Sequence, residues 1–232
     1  MRTGSQATVG GPMRASLDLY SPVPMSDGAQ TNGSRALHLA GSPSTLLDVA
    51  RVDRERAIAA ARELLEALGA DVDSDSLAET PRRMVDSYIE QLTPEPFDAT
   101  TFPNDGGYDE LVVARSITFH SLCEHHLLPF VGVAHVAYLP GERIVGLSKL
   151  ARVVEYYARS LQVQERLTSQ IATWLERELA PRGVGVVMEA EHMCMTLRGV
   201  QKPGTKTVTS ALLGLVRDDP RTRQEFLTLT RG

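Results

Sequence analysis

From Leu46 onward, apolar side chains recur with periods that name the elements they belong to. Between Val52 and Leu68, the residues Ile58, Ala61, Leu65 and Leu68 fall on one helical face, and Gly69 supplies the stop. A second helix is predicted to open near Thr80-Pro81, because proline in the first turn has no N–H to waste. It carries Met84, Val85, Tyr88, Ile89 and Leu92 inward and ends before Pro94. Ser116 to Phe119 and Val131 to Tyr138 read as strands, and Pro140-Gly141 turns the chain. Leu147 to Leu179 reads as helix, broken around Ser160-Leu161-Gln162. Leu150, Val153, Val154 and Tyr157 form one stripe; Leu167, Ile171, Trp174 and Leu175 form the next; Pro181 to Gly183 closes it. Gly185 to Val200 and Thr205 to Val216 read as two further strands. Helices first, then strands packed under helices, predict an α+β fold.

Residues 1–45 are a different material, rich in Gly, Ser, Pro, Thr and Ala and poor in large apolar side chains. Such a segment cannot bury enough surface to offset its ordering entropy, which predicts a disordered arm. The domain organisation expected is therefore an arm over 1–45, a helical region over 46–95 and a larger domain over 96–232.

Hydrophobic residues make up 42% of the chain and charged residues 23%, the proportions of an ordinary soluble protein. A net charge of −5 provides no global basic field, so neither nucleic acid nor an anionic membrane is an expected partner. The N-terminus has no apolar signal-peptide core, and no run of about 18 apolar residues could span a bilayer. The expected compartment is cytoplasmic, where thiols stay reduced.

Against that background the two cysteines stand out. Cys123 lies in Ser121-Leu122-Cys123-Glu124-His125-His126, and Cys194 in Glu191-His192-Met193-Cys194. Thiolate and imidazole are the ligands preferred by a borderline-soft cation such as Zn²⁺. A Cys-x-x-His pair (Cys123, His126) plus the remote Cys194 makes a three-ligand set, which leaves a position open for water and marks a catalytic site. His38, His120 and His135 have no such company and read as ordinary structural residues.

If the second cysteine strand is continuous, period 2 places His192, Cys194, Thr196 and Arg198 on one face and Met193, Met195 and Leu197 on the core face. Gly146 to Arg152 opens a helix with Ser148 as the expected N-cap and Lys149 and Arg152 in the first turn. Cations there oppose the helix dipole unless an anion binds the same terminus; otherwise they are a solvated basic turn. With Arg198 they suggest a phosphate site beside the metal. Gln164-Glu165 opens the next helix, where a carboxylate either reads a planar N–H edge such as that of guanine or simply suits a helix N-terminus.

Several of these segments together closely resemble the GTP cyclohydrolase I family: Ser121 to Phe130, Gly146 to Leu150, Gln162 to Thr168, His192-Met193-Cys194 and Arg198-Gly199-Val200. The resemblance runs from about Val49 to the C-terminus. It implies a tunnelling fold, an antiparallel sheet with helices on one side preceded by an N-terminal helical pair, assembled as a homodecamer of two pentamers. It also implies conversion of GTP and water to formate and 7,8-dihydroneopterin triphosphate, the first step toward folate and other pterins. In that reaction zinc-activated water attacks purine C8, and the ribose later recloses as the pterin ring. By motif match Cys123, His126 and Cys194 hold Zn²⁺, while His125 and His192 handle protons. Gln164 and Glu165 hold guanine, with Ser148 beside the ribose. Lys149, Arg152, Arg198 and Arg83 of the partner subunit hold the triphosphate. Ser160 stands where the family often has arginine, and Val216 where an aromatic is usual. Two rival readings, a zinc-bearing GTP sensor and a relative acting on another pterin or deazapurine, are separated from this one by formate release from GTP.

Overall fold

In the computed structural model the described residues are 51–231, all within one compact unit, so the expected N-terminal arm and His38 lie outside them. Helices α1 (Arg54–Ala67) and α2 (Thr80–Leu92) come first. Asp53 caps α1 through its side chain, and Gly69 terminates it at φ +87°, a conformation open to glycine. Arg54 bridges the two helices with a two-pronged contact to Asp86 at 2.7 and 2.8 Å. On α2, Val85 and Leu92 are buried as the periodicity requires. Leu68 departs from it: it falls at the α1 C-cap, where the helical face no longer applies, and is 75% exposed.

A five-stranded sheet organises the rest, in the order β5-β2-β3-β6-β7: β2 (Val112–Cys123), β3 (Pro129–Leu139), β5 (Leu161–Gln162), β6 (Gly183–His192) and β7 (Lys206–Gly214). Neighbouring pairs are antiparallel except β2 with β5, which is parallel. A two-stranded ribbon of β1 (Thr101–Pro103) and β4 (Arg143–Val145) stands apart. The α+β expectation agrees with this mixture.

Helices α3 (Ser148–Ala158) and α4 (Gln164–Leu179) cover one face of the sheet. Their stripes, Leu150, Val153, Val154 and Tyr157 with Leu167, Ile171, Trp174 and Leu175, meet Phe130, Ala134, Val136, Tyr138, Val184, Val186 and Met188 in one core. Alternate residues of β3 and β6 point the other way. There α6 (Leu215–Asp218) and α7 (Pro220–Thr230) place Val216 and Phe226 over Ala137 in a smaller cluster. Val216 is fully buried, so an aliphatic side chain completes this packing.

Two expectations are corrected here. The strand through Cys194 does not continue to Val200: β6 stops at His192, and Met193–Thr196 form a single helical turn, α5. The partner strand β7 begins at Lys206, opposite Glu191, so nothing remains for the chain to pair with. Its polar groups are satisfied locally: Leu197 N–H donates to Met193 O at 3.0 Å and Thr196 Oγ1 to His192 O at 3.1 Å. Ser148 is not the N-cap of α3. The helix is entered from Gly146 and Leu147, whose carbonyls accept from Lys149 and Leu150, and Leu147 takes the cap position without a side-chain bond.

Candidate metal centre and active site

The turn between β2 and β3 carries the first cysteine motif. Cys123 ends β2; its N–H donates to Leu128 O at 2.9 Å, and its carbonyl accepts from Leu127 N–H at 2.8 Å. Leu127 closes the turn at φ 54°, in the left-handed region. The winding brings His126 Nδ1 to 3.7 Å and His125 Nδ1 to 3.9 Å from Cys123 Sγ. From the other side, α5 brings Cys194 to the same place. The cysteine sulfurs and one ring nitrogen of His126 all lie within 4.8 Å of one another. Ligands around a tetrahedral zinc, with bonds of about 2.3 Å to sulfur and 2.0–2.1 Å to nitrogen, stand roughly 3.6–3.8 Å apart. The spacing and the donor set therefore fit that ion.

Electrostatics at the cluster point the same way. Burial first, then the adjacent Cys123 sulfur, push the Cys194 thiol up, with the Arg198 guanidinium pulling against them. Two thiols this close do not both ionise without a cation to share. Both cysteines are free thiols, so no disulfide competes for them.

Around this centre the second layer is tightly connected. His192, the last residue of β6, pairs in register with Phe130 and stacks on its ring, 4.5 Å between centroids and 5° between planes. Burial lowers the pKa of the His192 imidazole, and the nearby Glu165 carboxylate partly offsets this. His192 Nε2 lies 2.8 Å from Gln164 Oε1. Arg198 Nη1 donates to His126 Nε2 at 3.0 Å.

The turn is also held from behind. Arg166, one position past Glu165, pairs with the Glu124 carboxylate, donates to Leu161 O at 2.9 Å and to Gln162 Oε1 at 3.0 Å. Glu124 N–H donates to Gln162 O at 3.0 Å, and buried Gln162 Nε2 bonds Tyr157 O and Gln170 Oε1 at 2.9 and 2.8 Å. The Arg166 contact holds the Glu124 carboxyl below its usual range. Ser160, in the same segment, is fully buried and bonds Tyr157 O and Ser121.

Thus Cys123, His125, His126, Cys194, His192, Gln164 and Arg198 are brought together within this chain, with Glu165 close enough to His192 to act on its charge. No described contact joins Arg83, Ser148, Lys149 or Arg152 to them; Arg83 and Arg152 are exposed, and neither they nor Lys149 form an ion pair among the described residues. Reasoning from sequence did not single out Arg166, Glu124, Phe130, Thr168, Thr207 and Thr209. Glu124 and Phe130 lie in the segment that carries Cys123 and His126, and Arg166 and Thr168 in Gln162 to Thr168, so for these four the signal was at hand. Thr207 and Thr209 gave none, because they lie on β7 and only the packing of α4 against it brings them in.

A family model described as GTP cyclohydrolase I matches residues 57–231. Curated relatives bearing the name GTP cyclohydrolase 1 include one from Aquifex aeolicus (strain VF5), 52% identical over 78% of this chain and 98% of its own. Another, from Thermobifida fusca (strain YX), is 50% identical over 83% of this chain and 95% of its own. A third, from Streptomyces griseus, is 55% identical over 76% of this chain and 90% of its own.

Proposed function

The chain belongs to the GTP cyclohydrolase I family, and from that premise we propose that it is a zinc enzyme converting GTP and one net water to formate and 7,8-dihydroneopterin triphosphate. The observation that carries the reading is the convergence of Cys123, His126 and Cys194 within 4.8 Å, with the half-buried imidazole of His192 held nearby by Gln164. Cys123, His126 and Cys194 would hold Zn²⁺, which when bound supplies a water acidic enough to react at neutral pH.

The protein's own groups do the rest. His192, fixed between Phe130 and Gln164, and the exposed His125 exchange protons with the purine as its imidazole ring opens. Glu165 holds the guanine edge. Arg198, Lys149 and Arg152, with Arg83 of the partner subunit, neutralise the triphosphate, and Ser148 stands beside the ribose. Arg83, Lys149 and Arg152 support this by making no ion pair within the described chain, which leaves their charge for a ligand.

We assign the chain to the tunnelling fold and to a decamer of two pentamers with active sites between subunits. Supporting this, β7 (Lys206–Gly214) is an edge strand of the sheet, and Val208 on it is 60% exposed. An edge strand of this length can pair with the strand of another chain. No helix among the described residues is long and apolar enough to cross a membrane, and we place the enzyme in the cytoplasm, where its thiols stay available to metal.

Incubation of the purified, zinc-loaded protein with GTP tests the function. Stoichiometric formate and a product that becomes a fluorescent pterin on oxidation are expected. Binding of GTP without formate would make the protein a sensor, and turnover of a different pterin or purine alone would make it a relative of other specificity.

A further inference from the structure

Gln164 opens α4 with its side chain 2% exposed, and the direction of each of its hydrogen bonds can be decided. Its Nε2 lies 3.2 Å from Met188 O, 3.0 Å from Thr207 O and 3.1 Å from Thr209 Oγ1. Two of these are backbone carbonyls, which only accept. Turning the amide over would set its oxygen against both of them with no proton between. The hydroxyls agree. Thr168 Oγ1 donates to the Gln164 carbonyl at 2.7 Å, so across its 2.6 Å contact with Thr209 it accepts. Thr209 therefore spends its proton on Thr168 and can only accept from the Gln164 amide, whose two protons are shared among three acceptors. The chain of donors closes from the Gln164 side chain back to the Gln164 main chain.

With the amide so fixed, Oε1 is the atom facing His192, and it cannot donate. The 2.8 Å contact then requires the proton on His192 Nε2. The stacked Phe130 ring, itself fully buried, holds the imidazole plane, and a half-turn within that plane would put Cε1 rather than Nδ1 against Gln164. We infer that Gln164 is a positioning residue for His192: it locks the Nε2–H tautomer, so that Nδ1 is the nitrogen left to exchange protons with the substrate. This rests on the reading above of His192 as a proton carrier, and it revises one part of that family resemblance. The amide group of Gln164 is fully engaged by the protein and by His192, so its side chain is not what reads guanine, which leaves that task to Glu165.

Nitrogen-15 NMR of histidine-labelled, zinc-loaded full-length protein reads the tautomer directly. Neutral His192 is expected to show a protonated Nε2 and an unprotonated Nδ1. Gln164→Met, close to isosteric and at most a weak acceptor, should abolish that preference. In turnover, Gln164→Met should lower kcat by on the order of 10²-fold, with KM for GTP and the preference for GTP over inosine triphosphate, which lacks the 2-amino group, unchanged. In a His192→Ala background the same substitution should cost nothing further, since it acts through that ring.

An Nδ1–H tautomer in the wild type, or an Nε2–H tautomer that survives Gln164→Met, would overturn the inference. So would a Gln164→Met enzyme with normal kcat, raised KM and lost discrimination against inosine triphosphate, the signature of a base-reading side chain. A wild type that releases no formate yet shows the Nε2–H signal, lost in Gln164→Met, would sink the proposed function and leave the pairing standing.

Discussion

Arg198 donates from Nη1 to Nε2 of His126 at 3.0 Å. A guanidinium has no lone pair to offer, so this bond leaves Nε2 as the acceptor and Nδ1 as the nitrogen facing Cys123 at 3.7 Å. A zinc ion held through Nδ1 would leave the proton on Nε2, which cannot accept, so metal and this bond exclude one another and the guanidinium would then be available to a phosphate. Arg198→Ala is expected to weaken GTP binding by roughly 10- to 150-fold, the loss of one charge-assisted contact worth about 1.5–3 kcal/mol. Titration with GTP and guanosine checks it. If the preference for GTP over guanosine is unchanged in the variant, Arg198 does not hold the triphosphate.

Cys123→Ala and Cys194→Ala should each empty the metal site, because the open catalytic count leaves no spare ligand to compensate. Metal analysis should find about one zinc per subunit in the wild type and almost none in either variant. Exhaustive chelation of the wild type should abolish formate release, and added Zn²⁺ should restore it. An active protein that contains no metal would refute the ligand set.

Arg166→Lys keeps the charge but cannot reach Glu124, Leu161 O and Gln162 Oε1 together. The turn bearing Cys123, His125 and His126 should loosen, and affinity for zinc should fall about 10- to 100-fold, as when an outer-shell partner of a metal ligand is removed. Competition with a chromophoric chelator measures this without reference to turnover. Wild-type affinity in the variant would mean the clamp is idle.

The chemistry was more legible in the sequence than the path of the chain through it. Cysteine and histidine are rare and local, so Cys123, His126, His192 and Cys194 announced themselves by identity alone. The stripes on α3 and α4 were equally clear, because each helix buries one face only. Alternation misled at two places. At Ala114/Ile117 the register of β2 shifts, with Arg115 and Ser116 together opposite His135 and Ser116 at φ 54°. The bulge inverts the side-chain phase, which is why the strand appeared to begin at Ser116. After His192 the alternation of Met193, Met195 and Leu197 mimics a strand, yet a helical turn carries them, because Glu191 accepts from both Thr196 Oγ1 and Gly204 N–H and folds the chain back. Helix α7 was not recognised at all. Its buried residues are few, Phe226 and Thr230, too sparse to set a period.

His135 should tie stability to pH. Burial, with Arg115 adding to it and Glu189 opposing, lowers its pKa in the folded protein. An unfolded histidine takes up its proton near pH 6.5, so between that point and the lower folded pKa the unfolded chain binds more protons. Stability is therefore unaffected by this group above about pH 7 and is lost as pH falls through the window below about 6.5. His135→Gln should flatten the fall in Tm from pH 7 to pH 5. An unchanged slope would show that other groups set it.

Phe226 and Gly185 form the last contact that can be tested in isolation from the chemistry. The Phe226 ring, fully buried, lies flush on the bare backbone of Gly185 in the middle of β6: a Cβ added there would meet Cε1 and Cζ at 2.8 Å. Glycine is placed here for close approach rather than for an unusual turn, since its φ lies outside the left-handed region. The contact fastens α7 to the face of the sheet away from the metal centre, with Ala137 and Val216 completing the cluster. Phe226→Ala should cost about 3–5 kcal/mol, a fall in Tm on the order of 6–20 °C for a domain of this size. Gly185→Ala should also destabilise, because ring and strand cannot both keep their places. Combining Gly185→Ala with Phe226→Leu should recover part of that loss, since the smaller, branched side chain can yield to the new methyl. The comparison is made by thermal melts at one fixed protein concentration, because assembly adds to Tm. Strict additivity of the two substitutions would show that the ring and the glycine are not coupled.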